Sequence, residues 1–138
     1  MKLIFIDSDI LLDALLNRTP FNKEAIALIE LVHNKTFLGF TSSVAFVNTH
    51  YFLGKNELLR PKKLDILKKL KKDISIISVD ERIIDYALES KFPDFEDAVQ
   101  YYAAKSAGCE CIITRNSKHY KNANIPILNA EQFINLSL

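Results

Sequence analysis

Acidic side chains occur in this sequence at points where an apolar run ends or a helical pattern begins. Asp7 directly follows the apolar run at the amino end, and Asn116 follows a later apolar run. Asp94 and Asp97 are three residues apart, a spacing that places both carboxylates in the first turn of one helix. If these segments meet, the crowded negative charge needs a cation, and hard oxygen donors favour Mg²⁺ or Mn²⁺.

Each acid also has a purely structural interpretation. An Asp before a helix is commonly an N-cap, and acids in a first turn are favoured by the helix dipole. Taken singly, Asp94 and Asp97 fit that structural role, and Asp7 fits either role equally well. Convergence from separate segments is what favours a site, because a cap explains only one acid at a time.

The elements that would bring these residues together alternate between strand and helix patterns, which is typical of βαβ units around a parallel sheet. The predicted strands are 2–6, 36–40, 74–79, 111–114 and 126–128. The predicted helices are 9–17, 22–34, 43–53, 61–72, 81–89, 95–107 and 130–136.

Ligands of such sheets bind beyond the carboxyl ends of the strands, so the residues just after each strand are candidates for function. Asp13 lies further along its helix, where it is either at the edge of the site or an ordinary helical acid. We expect four more polar residues at the edge of the site: Ser8, Asp9, Asn48 and Glu96.

Length and composition indicate one ordinary globular domain over residues 1–138. The net charge of +1 gives no global sign of a polyanion partner, and no apolar stretch is long enough for a membrane span, so a cytoplasmic protein is expected. Cys109 and Cys111 are expected to be buried thiols, because the three histidines are too scattered to complete a zinc site with them.

Four segments together resemble the PIN-domain family. The run 6–13, Ile-Asp-Ser-Asp-Ile-Leu-Leu-Asp, is similar to the opening Asp-Thr/Ser-Asn-hydrophobic motif of that family. The run 94–98, Asp-Phe-Glu-Asp-Ala, resembles its later acidic motif, and 113–116, Ile-Thr-Arg-Asn, resembles its Thr-Arg-Asp/Asn strand end. Residues 125–133 look like its closing strand and helix, so the resemblance spans nearly the whole chain in order.

The resemblance implies a three-layer α/β/α sandwich around a mainly parallel sheet of four or five strands. It also implies an Mg²⁺- or Mn²⁺-dependent endoribonuclease, as in the toxins of bacterial toxin–antitoxin pairs, with a small antitoxin partner and a homodimeric state. By position, Asp7 and Asp97 would be the principal metal ligands, Asp94 a direct or supporting acidic partner, and Asn116 a polar member of the catalytic site.

The chain departs from the family pattern at two acidic positions. Asn48 stands where the family usually has Glu, and Asn116 where it often has Asp; His119 falls where some members have another Asp. An amide oxygen coordinates without charge, so each replacement is expected to weaken metal binding and activity. Asp9 and Glu96 are near enough in sequence to supply part of the missing charge.

Two basic regions are candidates for RNA binding. Lys68, Lys69 and Lys72 lie on one amphipathic helix, where they either contact phosphates or form an ordinary solvated face. Arg115, beside the predicted acidic site, either grips a substrate phosphate or forms a structural ion pair with a neighbouring acid.

Two other functions fit parts of the sequence. Asp7-Ser8-Asp9 after an apolar strand also resembles the nucleophile motif of haloacid-dehalogenase-type phosphatases, although Leu11 stands where that family usually has a small hydroxyl residue. Alternatively, the loss of charge at Asn48 and Asn116 fits a catalytically silent PIN-like module that binds RNA or a protein.

Overall fold

The computed structural model describes residues 2–55 and 58–137. These residues form one five-stranded sheet in which every neighbouring pair is parallel, in the order β3-β2-β1-β4-β5. The central, mainly parallel sheet expected from the sequence is confirmed. The strands are β1 Leu3–Ile6, β2 Leu38–Ser42, β3 Ile74–Ile77, β4 Cys111–Ile113 and β5 Ile127–Leu128.

Helices cover both faces of the sheet. They are α1 Ser8–Leu15, α2 Asn22–His33, α3 Ser43–Lys55, α4 Arg60–Asp73, α5 Glu81–Glu89, α6 Phe95–Ser106 and α7 Ala130–Ser137, with a 3-10 helix at Ser117–Tyr120. The side chains of β1 alternate between two cores: Ile4 and Ile6 are buried in a core with residues of α1, α2 and α7, whereas Phe5 is buried in a second core with residues of α5 and α6. This is the α/β/α sandwich that was expected.

The largest difference between predicted and observed elements is at β2, which begins and ends two residues later than expected. The backbone N–H of Thr36 donates to the carbonyl of Leu31, so the start of the predicted strand closes the end of α2 instead. Lys35, at φ 62°, makes the turn. Pairing with β1 then begins at Leu38, opposite Leu3. Long-range pairing therefore sets this boundary, and the local apolar pattern does not reveal it.

The sheet order brings three separated segments to one edge. β1 lies in the centre, between β2 and β4, and the N–H of Asp7 donates to the carbonyl of Ile113, which extends the pairing to the end of both strands. α6 is fixed to β2 by a buried hydrogen bond from Ser42 Oγ to Gln100 Oε1. The start of α6 and the ends of β1 and β4 thus meet at the carboxyl edge of the sheet.

Along the described residues, no helix combines the length and the apolar character needed to cross a membrane. Both cysteines are free and buried, as expected, and burial raises the pKa of Cys109 to about 12 and that of Cys111 to about 11. Gly108, at φ 75°, ends α6 in the left-handed region, where glycine is favoured.

Candidate active site

Asp7 is a buried acid at the carboxyl edge of the sheet, and only 7% of the residue is exposed. It is the N-cap of α1, and its Oδ1 accepts from the N–H of Ser8 at 2.7 Å. Its Oδ2 accepts from the hydroxyl of Tyr120 at 3.2 Å and lies 3.1 Å from Thr114 Oγ1. The carboxyl group is therefore held in one orientation by neighbours from three segments.

Asp9 lies beside Asp7 and shares the same hydroxyl. Thr114 Oγ1 is 3.2 Å from Asp9 Oδ2, and its single proton serves one of the two carboxyls at a time. The backbone N–H of Arg115 also donates to Asp9 Oδ2, at 2.9 Å. Asp9, predicted at the edge of the site, is thus tied to the end of β4.

These acids open into a cleft of about 290 Å³, here called the acidic cleft. Leu12 forms part of its apolar wall. Of the polar residues predicted for the site, Asp7, Ser8, Asp9, Glu96, Asp97, Arg115 and Asn116 line it, together with Arg18, which the sequence analysis did not select.

Burial and mutual repulsion dominate the electrostatics of the acidic cleft. The pKa of Asp7 is raised to about 7, first by burial and then by the negative charge of Asp9, with a smaller contribution from Asp97. Burial also raises the pKa of Asp9, although hydrogen bonds from the backbone oppose the shift. Charge from both ends of the chain therefore meets here, as the sequence predicted.

Asp97 approaches the cleft from the first turn of α6. Burial and the charge of Asp94 raise its pKa, and His119, whose Nδ1 is 2.8 Å from Asp97 Oδ2, opposes the rise. Asp94 is exposed, lies outside the lining of the cleft and accepts from the N–H of Asp97 at 3.0 Å as the N-cap of α6. Asp94 is therefore placed to support Asp97, and its role as a direct ligand stays a prediction.

The two asparagines occupy different places. Asn116 lines the acidic cleft at the end of β4, next to Arg115. Asn48, on α3, lies outside the lining, but its Nδ2 donates to Glu96 Oε1 at 2.9 Å. Asn48 thus acts on the cleft by orienting one of the acids in its wall.

A second buried acid, Asp13, binds Arg18 and Arg115, two arginines that line the cleft. Its side chain is fully buried; Oδ2 accepts from Arg115 Nε at 2.8 Å and Oδ1 from Arg115 Nη2 at 3.0 Å. Arg18 Nε donates to Oδ1 at 2.9 Å. The structural ion pair considered for Arg115 is therefore present, and Asp13 is a buried ion-pair partner at the edge of the site.

Comparison with known proteins agrees with this architecture. Residues 3–118 match the family model described as PIN domain, which covers most of the chain. The chain belongs to the PIN-domain family. It is 27% identical over 135 residues to Ribonuclease VapC1 of Aquifex aeolicus, an alignment that covers 94% of this chain and 92% of that protein.

Solved structures show the same PIN fold at low sequence identity. VapBC2 from Rickettsia felis, bound to a DNA fragment from its promoter, contains a chain with TM-score 0.69 and 16% identity, over 92% of this chain and 98% of that one. A toxin–antitoxin complex from Klebsiella pneumoniae gives TM-score 0.67 and 19% identity, over 92% and 97%. The family match favours the PIN interpretation of Asp7-Ser8-Asp9 over the phosphatase interpretation.

The donor set of this PIN domain fits a hard divalent cation by its chemistry. Asp7, Asp97, Asp9 and Glu96 supply carboxylate oxygens to one cleft, and burial together with the charges of Asp9 and Asp97 raises the pKa of Asp7. Within residues 2–55 and 58–137, no three Asp, Glu, His or Cys side chains are close enough to enclose an ion by themselves. Mg²⁺ commonly binds one or two carboxylates and keeps several waters, so an open donor set of this kind suits it.

The lysines predicted to bind RNA lie elsewhere on the PIN domain. Lys68, Lys69 and Lys72 are exposed on the last turns of α4, which leads into the amino end of β3. That end of a parallel strand is at the edge opposite the acidic cleft, and none of the three lines the cleft. Their role in RNA binding stays a prediction.

Three residues with direct contacts at the site were not selected from the sequence: Arg18, Thr114 and Tyr120. Thr114 lies inside the Thr-Arg-Asn segment, so its place in a motif was a usable signal. Arg18 and Tyr120 gave no such signal, because each reaches the cleft from outside the acidic motifs. Burial next to Asp7 raises the pKa of Tyr120 far above its usual range, so its hydroxyl is a hydrogen-bond donor to Asp7.

Proposed function

We propose that this protein is a divalent-metal-dependent endoribonuclease that hydrolyses phosphodiester bonds in RNA, and that it is the toxin of a toxin–antitoxin pair. The observation that carries the proposal is the state of Asp7: an oriented, buried carboxyl whose pKa is raised to about 7 beside two further acids. A bound cation removes this repulsion, so the arrangement that is unfavourable without metal becomes favourable with it.

Asp7 and Asp97 are the proposed ligands of Mg²⁺ or Mn²⁺. Asp94 supports them by capping the helix turn that carries Asp97, 3.0 Å from its N–H. When bound, the metal supplies the positive charge that activates water and stabilises the anionic transition state of phosphodiester hydrolysis.

The remaining polar groups of the cleft have distinct proposed tasks. Ser8 N–H, Thr114 and Tyr120 hold the Asp7 carboxyl so that its oxygens keep a fixed direction. Arg115 and Arg18 add positive charge to the lining of the cleft, where it attracts the phosphates of RNA. The amide of Asn116 contributes dipoles without charge, and the neutral Asn48 and Asn116 make metal binding weaker than a fully acidic set would.

The proposed partners are RNA as substrate, a small antitoxin protein and a second copy of this chain. The ribonuclease relative from Aquifex aeolicus supports the substrate, and the toxin–antitoxin complexes from Rickettsia felis and Klebsiella pneumoniae support the antitoxin. The homodimer rests on the family resemblance. A cytoplasmic location belongs to the same proposal, because cellular RNA and the antitoxin would be met there.

The direct test is RNA cleavage by the purified chain with Mg²⁺, Mn²⁺ or a chelator, beside Asp7→Asn and Asp97→Asn. Cleavage that needs metal and is lost in both variants is the expected result. Asp85→Asn, which removes an exposed acid of α5, is the matched control and should cleave like wild type.

A second measurement, the melting temperature in Mn²⁺, distinguishes a catalytically silent module from an active enzyme that does not cleave the RNA chosen for the test. Millimolar Mn²⁺ should raise the melting temperature of wild type and leave that of Asp7→Asn unchanged. If Mn²⁺ neither shifts the melting temperature nor supports cleavage, the protein is the catalytically silent binding module. The hydrogen bond from Asn48 to Glu96 favours that alternative, because it occupies an acid of the cleft.

A further inference from the structure

Two arginines that line the acidic cleft, Arg18 and Arg115, carry more positive charge than is needed to neutralise Asp13, the acid that they bind. Asp13 is fully buried, and one guanidinium would suffice to neutralise it. Instead, Arg18 and Arg115 both bind it, so two positive charges face this one buried negative charge, and the charge of Arg115 also acts on Asp9, where it opposes the rise in pKa that burial causes.

Both guanidinium groups are held rigidly but remain partly open to solvent. Arg115 uses Nε and Nη2 on Asp13, and Arg18 uses Nε on Asp13 and Nη2 on the carbonyl of Asp9, at 3.1 Å. Their side chains are 31% and 37% exposed. Within the described residues, Nη1 of neither arginine has a hydrogen-bond acceptor, so each keeps two N–H donors for a ligand.

Arg115 also stands between two cavities. Besides the acidic cleft, it lines a neighbouring cavity of about 430 Å³, here called the side pocket, together with Phe21 and the acids Glu24 and Glu131. The guanidinium carbon of Arg115 is 4.1 Å from the centroid of the Phe21 ring, so the ring supports one face of the guanidinium plane. The acids of the side pocket disfavour phosphates there, so the free N–H groups of Arg115 are available to a phosphate in the acidic cleft.

We propose that Arg18 and Arg115 form a binding site for an RNA phosphate next to the one that is cut, and that Asp13 is the positioning residue that holds both arginines in place. This inference rests on the proposed function and extends it to the substrate: the site binds single-stranded RNA that continues past the cleaved bond along the acidic cleft. Rigid, partly desolvated guanidinium pairs suit phosphate because their N–H groups match its oxygens without further ordering.

The test measures the affinity of a short single-stranded RNA for the Asp7→Asn protein in Mn²⁺, at several salt concentrations, by fluorescence anisotropy. Asp7→Asn prevents cleavage and serves as the parent. Adding Arg18→Ala should weaken binding about tenfold and reduce the slope of log Kd against log salt by about 0.7, the value for one lost phosphate contact on a single strand. Arg82→Ala, which removes an equal charge from the exposed face of α5, should change neither.

Asp13→Asn is the most informative variant, because an effect of charge alone and a loss of arginine positioning predict opposite changes in RNA affinity. Loss of a negative charge alone should strengthen RNA binding, whereas loss of the anchor should weaken it and lower the salt slope as Arg18→Ala does. If Asp13→Asn does not fold, Arg18→Lys replaces it: the charge stays but the fork is lost, and binding should weaken several-fold.

These measurements distinguish failure of the phosphate site from failure of the proposed ribonuclease function. Wild type that cleaves RNA with metal, while Arg18→Ala keeps the parent affinity and salt slope, overturns the phosphate site alone. Tighter binding by a folded Asp13→Asn overturns the positioning role of Asp13. Absence of both metal-dependent cleavage and RNA binding overturns the proposed function as well.

Discussion

Two buried aspartates, Asp7 and Asp13, have opposite surroundings, and Asp7 lines the acidic cleft whereas Asp13 lines the neighbouring side pocket. Asp7 accepts hydrogen bonds from a backbone N–H and neutral hydroxyls and has acids as its nearest charges. Asp13 has two guanidinium groups within 3.0 Å. Burial is similar, so the difference in partners determines what each acid does.

One segment, residues 7–13, thus carries two acids with different surroundings. Asp13 is neutralised from within the fold by its ion pairs with Arg18 and Arg115. Among the described residues, Asp7 accepts hydrogen bonds only from uncharged donors, and burial raises its pKa to about 7, so we propose that it binds a cation from outside. Variants of the two acids test this contrast, and Asp7→Asn should have the largest effect.

Asp7→Asn should lower RNA cleavage by about 1,000-fold, because loss of a principal metal ligand removes several kcal/mol of transition-state stabilisation. The measurement is kcat/KM in saturating Mn²⁺. Asp85→Asn serves as the control on an exposed acid, and full activity of Asp7→Asn would contradict a ligand role for Asp7.

The metal-free protein should become less stable as the pH rises from about 4 to about 7. The Asp7 carboxyl titrates near 7 in the folded state and near 3.8 in the unfolded state, so the folded state binds the extra proton between these values and loses it as pH increases. Asp7→Asn should flatten this fall and, at pH 8 in chelator, be more stable than wild type by a few kcal/mol, since each pKa unit corresponds to about 1.4 kcal/mol.

Denaturant unfolding at pH 5 and pH 8 measures that effect. Mn²⁺ should restore the stability of wild type at pH 8 and leave Asp7→Asn unaffected. An equal decline with pH in both proteins would place the linked proton on another group.

Asp13→Asn should destabilise the protein by about 2 kcal/mol, because charge-assisted hydrogen bonds to both arginines are weakened while the guanidinium groups still reach solvent. Chemical denaturation gives the value. The loss of stability is opposite in sign to the gain expected of Asp7→Asn at pH 8, and a gain in stability for Asp13→Asn would erase the contrast between the two acids.

The smallest effects should come from the helix caps Asp94 and Asp80, which are matched in geometry. Each accepts from the N–H three residues on, at 3.0 Å, so alanine at either position should cost about 1 kcal/mol. Only Asp94→Ala should also lower RNA cleavage, because its helix turn carries Asp97. Equal activity of the two variants would confine Asp94 to a capping role.

The order of strands and helices followed from the sequence because it depends on local periodicity and chain topology. Alternating apolar runs and helical patterns located the five strands and seven α-helices of the described residues, and the rule for parallel sheets placed Asp7 and Asn116 at one edge. The observed β2 lies two residues later than predicted, because its start is set by the pairing of Leu38 with Leu3, which is far away in sequence.

The sequence by itself predicted that the acids of the first strand and of α6 would share one cleft if the strands that end at Asp7 and before Asn116 were neighbours, and the sheet order met that condition. Only the tertiary structure decided which of the described acids bind a guanidinium group. Asp13 and Asp7 are both aspartates in an apolar setting, and Arg18, Arg115 and Tyr120 reach them through loops and helix ends whose paths no local pattern encodes. Charge neutralisation depends on distances of about 3 Å, and those arise only when the whole chain is packed.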